Sequence, residues 1–357
     1  MKTAIIGLPM VGKTSLFTIL TGVTQDTRIG STAARMGVAK VPDARLDELA
    51  RLFEPQKLTH ATVEYVDMPA ISKENLRDPG YLASLRVVDA FAQVLRLFGD
   101  ETIPHEKGSV DPKRDLEDVE TELILSDLVV VEKRLERLEK DRKKIKSPDL
   151  DHEYDLLQRC MTLLSDNQPL RQLELDAEEE KRIRGFQFLS RKPMLYVLNL
   201  GEEEAQKLHE REREYREGAL AGRKSVACSA ICGKIEAELA ELSAAEQRDY
   251  LASYGLSESG LERLITATYA LLGLMSFLTA GEDEVRAWTI PAHSTAVKAA
   301  GAIHSDFEKK FIRAEVVNWK SLVDLGGYAG AREKGQLRLE GKEYIVKDGD
   351  VLVIRHS

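Results

Sequence analysis

Long apolar runs are missing from this chain. Nothing approaches the roughly 18 residues that a membrane-spanning helix needs, so no membrane partner is expected. Lys2 followed by apolar residues faintly imitates a secretory signal, but Pro9 and Lys13 interrupt it. Cysteine is scarce. Cys160, Cys228 and Cys232 are too few and too scattered for a disulfide framework, which points to a reducing, cytoplasmic setting. Cys228 and Cys232 lie four apart, a spacing open to a redox pair or half a metal site, although packed thiols are the commoner outcome. A positive excess is lacking too. The 51 Lys and Arg face 60 Asp and Glu, and the net charge of −9 excludes a generally basic nucleic-acid coat while leaving room for local patches.

What is present suffices for proper cores and a soluble surface: 43% of the residues are apolar and 31% charged. At 357 residues the chain has room for two or three domains. Its organising stretch is Gly7-Leu8-Pro9-Met10-Val11-Gly12-Lys13-Thr14. The apolar run Thr3-Ala4-Ile5-Ile6 before it reads as a strand, and Ser15 to Leu20 behind it reads as a helix. Strand, glycine loop, Lys-Thr and helix in that order predict a phosphate-binding loop. The loop from Pro9 to Ser15 would close around phosphates through the backbone N–H groups that follow Pro9, helped by the helix N-terminus. Lys13 would reach the β- and γ-phosphates, and the Thr14 hydroxyl would ligate Mg²⁺.

Further along, residues 21–37 hold the place of a first switch loop, with Ser31 and Thr32 as candidate hydroxyls for the metal and the γ-phosphate. Residues 61–66 alternate like a strand and end at Asp67, where a P-loop protein carries the acid that holds Mg²⁺ through water. Asp67-Met68-Pro69-Ala70 then stands for an Asp-x-x-Gly second switch, with Ala in place of Gly. Ala90 to Phe98 reads as a third core strand, followed by a loop carrying His105. Leu128, Val131, Leu135, Leu138 and Ile145 mark a coiled-coil-like seam, broken at Ser147-Pro148 and answered by Tyr154, Leu157, Met161 and Leu164. That pattern predicts an antiparallel helical hairpin. Pro193 to Leu198 is a buried-type strand ending in Asn199-Leu200-Gly201-Glu202, where a GTPase would read guanine with Asn-Lys-x-Asp. Ser225 to Cys228 predicts another strand, leading to a base-side loop at Ser229-Ala230. From Phe277 strands gather around one helix at Ala296–Ile303, as in a β-grasp, with a terminal hairpin about Asp348-Gly349-Asp350. Residues 279–357 hold twelve basic and twelve acidic side chains, so this part shows no strongly basic RNA face.

Taken together, the chain resembles the YchF/Obg-like ATPase family over almost its whole length. The resemblance rests on Asn199-Leu200-Gly201-Glu202, Val110-Asp111-Pro112-Lys113-Arg114-Asp115, Thr121 to Leu125, and Glu132 to Glu136. It rests also on Glu284 to Thr289, His304 to Lys309 and Tyr344 to Asp350, which look like that family's TGS domain. It implies an α/β fold. A P-loop G domain with a mostly parallel sheet would occupy 1–114 and 186–276, an inserted helical arm 115–185, and a TGS domain 277–357. It also implies a monomeric slow ATPase that prefers ATP to GTP, uses Mg²⁺ and, as a second candidate, K⁺, and works with the ribosome or its RNA and proteins. His105 matches the family's catalytic histidine loop; Asn199, Leu200, Glu202, Ser229 and Ala230 would surround the base. Ile71 matches the apolar residue the family carries where other members of the fold place a hydrolytic glutamine. The chain departs from the family at Met10, where Asn is common, in the first switch, at Ala70, and in the rewritten segment Ser72 to Gly80. Two other readings stand beside the ATPase: a nucleotide-sensing, ribosome-associated protein with little or no hydrolysis, and a true GTPase.

Overall fold

The computed structural model describes residues 1–23 and 34–357; Ser31 and Thr32 lie outside them. Twelve strands are present among the described residues. They are β1 (Lys2–Ile6), β2 (Arg35–Lys40), β3 (Lys57–Thr59), β4 (Thr62–Asp67), β5 (Ala90–Arg96), β6 (Met194–Asn199), β7 (Val226–Ile231), β8 (Leu274–Thr279), β9 (Glu284–Pro291), β10 (Phe311–Asn318), β11 (Arg338–Glu340) and β12 (Asp350–His356). The first five longer helices are α1 (Lys13–Thr21), α2 (Ala44–Phe53), α3 (Pro79–Arg86), α4 (Pro112–Lys144) and α5 (Pro148–Ser165).

The chain forms two units, residues 1–37 with 64–271 and residues 38–63 with 272–357. In the first, strands run in the order β2-β4-β1-β5-β6-β7. β4, β1, β5, β6 and β7 are parallel neighbours. β5 and β6 are buried at every position, which explains why they read as continuous apolar runs: strands covered on both faces lose the alternation of a half-exposed sheet. The register sets Ile5 beside Asp67, so the acid at the end of β4 arrives next to the loop that follows β1.

The predicted hairpin is α4 and α5. Asp111 caps α4 by accepting from the Arg114 N–H, Pro112 occupies its first turn, and Arg142, Lys143 and Lys144 occupy its last. Val131, Leu135 and Leu138 of α4 close on Leu156, Leu157, Cys160 and Leu164 of α5, forming a core cluster of their own. Arg134 adds a two-pronged pair with Glu153, both contacts at 2.7 Å. Ile145, expected in the seam, is 61% exposed because α4 has already ended at Lys144 and the backbone there is extended.

The second unit carries the sheet β11-β10-β12-β8-β9-β3 around the helix Ala296–Ile303, whose Ala296, Ala299 and Ala300 are buried against Phe277, Ile290 and Val316. Two features differ from the sequence reading. Residues 38–63, expected with the P-loop, cluster here: β3 pairs with β9 in parallel, and Arg45 of α2 bonds both Asp43 and Asp348. The terminal hairpin does not form. The Tyr344 carbonyl accepts from the Ala296 N–H and the Val346 N–H donates to the Ser294 carbonyl, while β12 pairs with β10 and β8.

Candidate functional site: a phosphate-binding cleft

The cleft opens at the carboxyl ends of the parallel strands, where open α/β sheets carry their ligands. Its volume is about 950 Å³. One end is built by the loop after β1. Gly7 and Gly12 adopt φ of 141° and 101°, angles that glycine takes without strain. A Cβ on Gly12 would come within 2.6 Å of the Asn199 amide nitrogen, so the loop has no room for a side chain there. Met10 sits at φ 60°, a left-handed conformation that favours Asn over Met and that gives a reason for the Asn common in the resembling family.

Lys13 is the buried cation of the site. Only 9% exposed, it donates to the Leu8 carbonyl at 2.6 Å. Burial lowers its pKa to about 8, against the partly offsetting charges of Asp67 and Glu106. Thr14 Oγ1 donates to Asp67 Oδ2 at 3.1 Å, and the Arg35 guanidinium pairs with that same oxygen. Asp67 Oδ1 is buried and has no hydrogen-bond partner among the described residues. A buried carboxylate oxygen so placed, beside a hydroxyl, is the oxygen donor set that suits Mg²⁺. Thr14 and Asp67 therefore fit the metal, and Lys13 fits the phosphates.

At the other end the base-side residues are arranged differently from the sequence reading. Asn199 lines the cleft, but its amide is committed: Nδ2 donates to the Val11 carbonyl at 3.1 Å and Oδ1 accepts from the Gly233 N–H at 3.1 Å. It clamps the phosphate loop to the start of the helix Gly233–Leu239. Leu200 supplies a buried apolar wall, and Glu202 is ion-paired with Lys234. Ser229 and Ala230 are buried inside β7, which runs three residues further than the strand predicted from Ser225 to Cys228. Cys232, Gly233 and Lys234 line the cleft at the position expected for those two. The thiols of Cys160 and Cys228 are raised to about 11 and about 12 by burial, and that of Cys232 is raised as well.

His105 is not a lining residue in this arrangement; Phe98, Gly99, Asp100 and Ile103 of the same loop are. Its side chain is 4% exposed and lies 2.8 Å by Nε2 from Asp115 Oδ2 in the first turn of α4. Nδ1 accepts from the Lys107 N–H at 3.1 Å, so Nε2 is the nitrogen that donates. Asp115 is held in turn by Arg114 at 2.8 Å. In the second switch, Ile71 is 2% exposed and its N–H donates to the Gly7 carbonyl. Asn75 donates to the Ala70 carbonyl at 2.7 Å, and the Tyr81 hydroxyl to that of Pro69 at 2.9 Å.

The sequence reading did not anticipate Arg35, Lys234 or Glu106. Each acts through a partner remote in sequence and carries no local motif. Only Lys234 had a signal, as the second residue of a helix opening just after a core strand.

A glycine loop entering a helix, a lysine buried within it, and an acid on the neighbouring parallel strand define a P-loop nucleotide-binding fold. Within that class the chain belongs to the YchF family. It is 40% identical to the Ribosome-binding ATPase YchF of Bacillus subtilis across 100% of this chain and 99% of that protein. It is 38% identical to the protein of the same name from Pasteurella multocida, again across 100% and 99%. The solved structure of the Schizosaccharomyces pombe YchF GTPase superposes with a TM-score of 0.85 at 28% identity, covering 99% of this chain and 97% of that one. Residues 274–357 match the family model YchF-GTPase_C, described as "Protein of unknown function (DUF933)".

Proposed function

We propose that this chain binds ATP with Mg²⁺ in the cleft, in preference to GTP, hydrolyses it slowly, and acts at the ribosome in a cytoplasmic setting. The observation that carries the nucleotide reading is the convergence of Lys13, Thr14 and the half-satisfied Asp67 at one end of the cleft. The ribosome enters through the relatives, which bear the name Ribosome-binding ATPase YchF. Thr14 and Asp67 would hold Mg²⁺, and the chemistry it supplies when bound is neutralisation of charge on the β- and γ-phosphates.

Base choice falls to the other end of the cleft. Guanine offers two ring-side N–H donors, which a free carboxylate grips. Glu202 is already neutralised by Lys234, and Leu200 stands where guanine readers carry Lys. Adenine asks for neither group. ATP should therefore bind at least about tenfold more tightly than GTP, the equivalent of one lost charge-assisted contact. Titration of the purified protein with each nucleotide, with phosphate release followed in the same samples, tests this. Submicromolar GTP binding without measurable ATP binding would replace it with the GTPase reading, the name that the Schizosaccharomyces pombe relative carries. Tight ATP binding with no phosphate release would favour the sensing reading. The observation on its side is that both ring nitrogens of His105 are hydrogen-bonded away from the cleft.

Lys13 adds a pH dependence. Its pKa of about 8 in the free protein must rise when phosphates surround it, so binding takes up a proton above that pH. ATP affinity should be flat below pH 7 and fall by about tenfold between pH 7 and 9, as the charged fraction of Lys13 drops. A Lys13→Arg variant, whose charge does not titrate in this range, should lose that slope. Calorimetric titrations across the pH range check it, and an equal slope in both proteins would assign it to another group.

A further inference from the structure

We propose that Arg35 is a built-in competitor for the metal: its guanidinium and Mg²⁺ contend for the same oxygen of Asp67, and loading of Mg²⁺-nucleotide must expel it. The proposal rests on the nucleotide reading above. Asp67 Oδ2 takes both the Thr14 hydroxyl and the Arg35 guanidinium, the first being the side chain that pairs with Asp67 in holding the metal. A cation placed between Thr14 and Asp67 meets the guanidinium at once.

Three further observations say which cation gives way. Arg35 engages Asp67 through a single oxygen, although a guanidinium can fork across both; Oδ1 is left buried and, among the described residues, unpartnered. The contact is thus an incomplete substitute for a ligand that could satisfy the whole carboxylate. Arg35 is also more accessible than the two charges beside it, with a side chain 30% exposed against 7% for Asp67 while Lys13 is buried, and it leans on the Phe17 ring at 5.3 Å from the centroid. It can swing into water without opening the core. Lys13 cannot, since it is buried and bonded to Leu8. Adding a divalent ion beside Lys13 and Arg35 brings like charges together, and the cheapest relief is departure of the exposed one. Arg35 therefore sets a threshold: it shields Asp67 and weakens metal capture until nucleotide phosphates help to draw the ion in.

The test compares the parent full-length chain with Arg35→Gln and Arg35→Lys. Mn²⁺, which takes the same oxygen ligands, is titrated into each protein–ADP complex and followed by its electron paramagnetic resonance signal. ADP binding is measured separately in EDTA. Arg35→Gln should bind Mn²⁺ at least about tenfold more tightly than the parent, the scale of one released charge-assisted bond, with ADP binding in EDTA unchanged. Arg35→Lys keeps the cation and should stay near the parent. Equal or weaker Mn²⁺ binding by Arg35→Gln overturns the proposal. So does loss of ADP binding in EDTA, which would make Arg35 a phosphate ligand instead. A parent chain that binds neither ADP nor ATP under any condition would instead bring down the nucleotide reading itself, an outcome visible before any variant is compared.

Discussion

Replacing Lys13 with alanine should weaken ATP binding by at least about tenfold, because it removes a charge-assisted contact of roughly 1.5–3 kcal/mol from the β- and γ-phosphates. The site explains why the loss should be at the upper end of that range. Lys13 is held nearly out of water, where a charge interacts more strongly than at a surface, and its Nζ is already anchored on the phosphate loop. The same burial separates binding from folding. Lys13 has its folded pKa pushed down to about 8 from 10.5 in the unfolded chain, mainly by desolvation. Its charged form therefore opposes folding fully below pH 8, and the penalty fades as pH rises toward 10.5. At pH 7 the alanine variant is relieved of this penalty, so its melting temperature should not fall on electrostatic grounds. Isothermal titration with ATP, paired with a thermal melt, makes the measurement. Unchanged ATP affinity in a folded Lys13→Ala protein would reject the assignment of the loop.

Much of this architecture was open to inspection in the residues because it depends on local rules. Thr3 to Ile6 followed by glycines, Lys13 and Thr14 names a strand, a turn and a helix start by spacing alone, and β1 and α1 stand where that spacing places them. The hairpin was legible for the same reason: its seam falls mostly at three- and four-residue spacings, and Pro148 opens the second helix after the break. The limits of local reading appear at Ser229-Ala230. An Ala-Cys-Ser-Ala run has no breaker, so nothing in it marks where β7 stops, and the strand continues to Ile231 before the chain turns into the cleft. The placement of residues 38–63 was hidden differently. β3 is three residues long, and its identity comes from pairing with β9, some 225 residues away in the chain. Asn199 shows a third kind of limit. Its position was found by motif, but its bonds to Val11 and Gly233 make it a clamp on the phosphate loop, and no motif distinguishes a clamp from a base reader. Arg35 was the least visible of all, since a salt bridge across 32 residues follows from strand register and leaves no pattern in either segment.

Hydrolysis should be slow. In the usual P-loop scheme a side chain after the second switch orients the attacking water. Here that position is Ile71, which has no group able to do so and is buried, its N–H tied to Gly7. The neighbouring carbonyls of Pro69 and Ala70 are bonded to Tyr81 and Asn75, which holds the segment in its own fold. The water must be handled from elsewhere. His105 is the candidate: its loop contributes Phe98, Gly99, Asp100 and Ile103 to the cleft, and Glu106, one residue on, already acts electrostatically on Lys13. To act, the imidazole must give up its bond to Asp115 and turn toward the γ-phosphate, and the work of opening that buried pair is a reason for slow turnover. A neutral imidazole so released can position or deprotonate water, a contribution of about a hundredfold or more. His105→Ala should therefore lower kcat by about a hundredfold while ATP affinity stays at the parent value, because the histidine lies outside the groups that hold the phosphates. Single-turnover measurements with Mg²⁺, with and without K⁺, separate the chemical step from product release. If His105→Ala hydrolyses at the parent rate, the histidine has no part in the chemistry. If the parent itself shows no turnover while binding ATP tightly, the cleft senses nucleotide without consuming it.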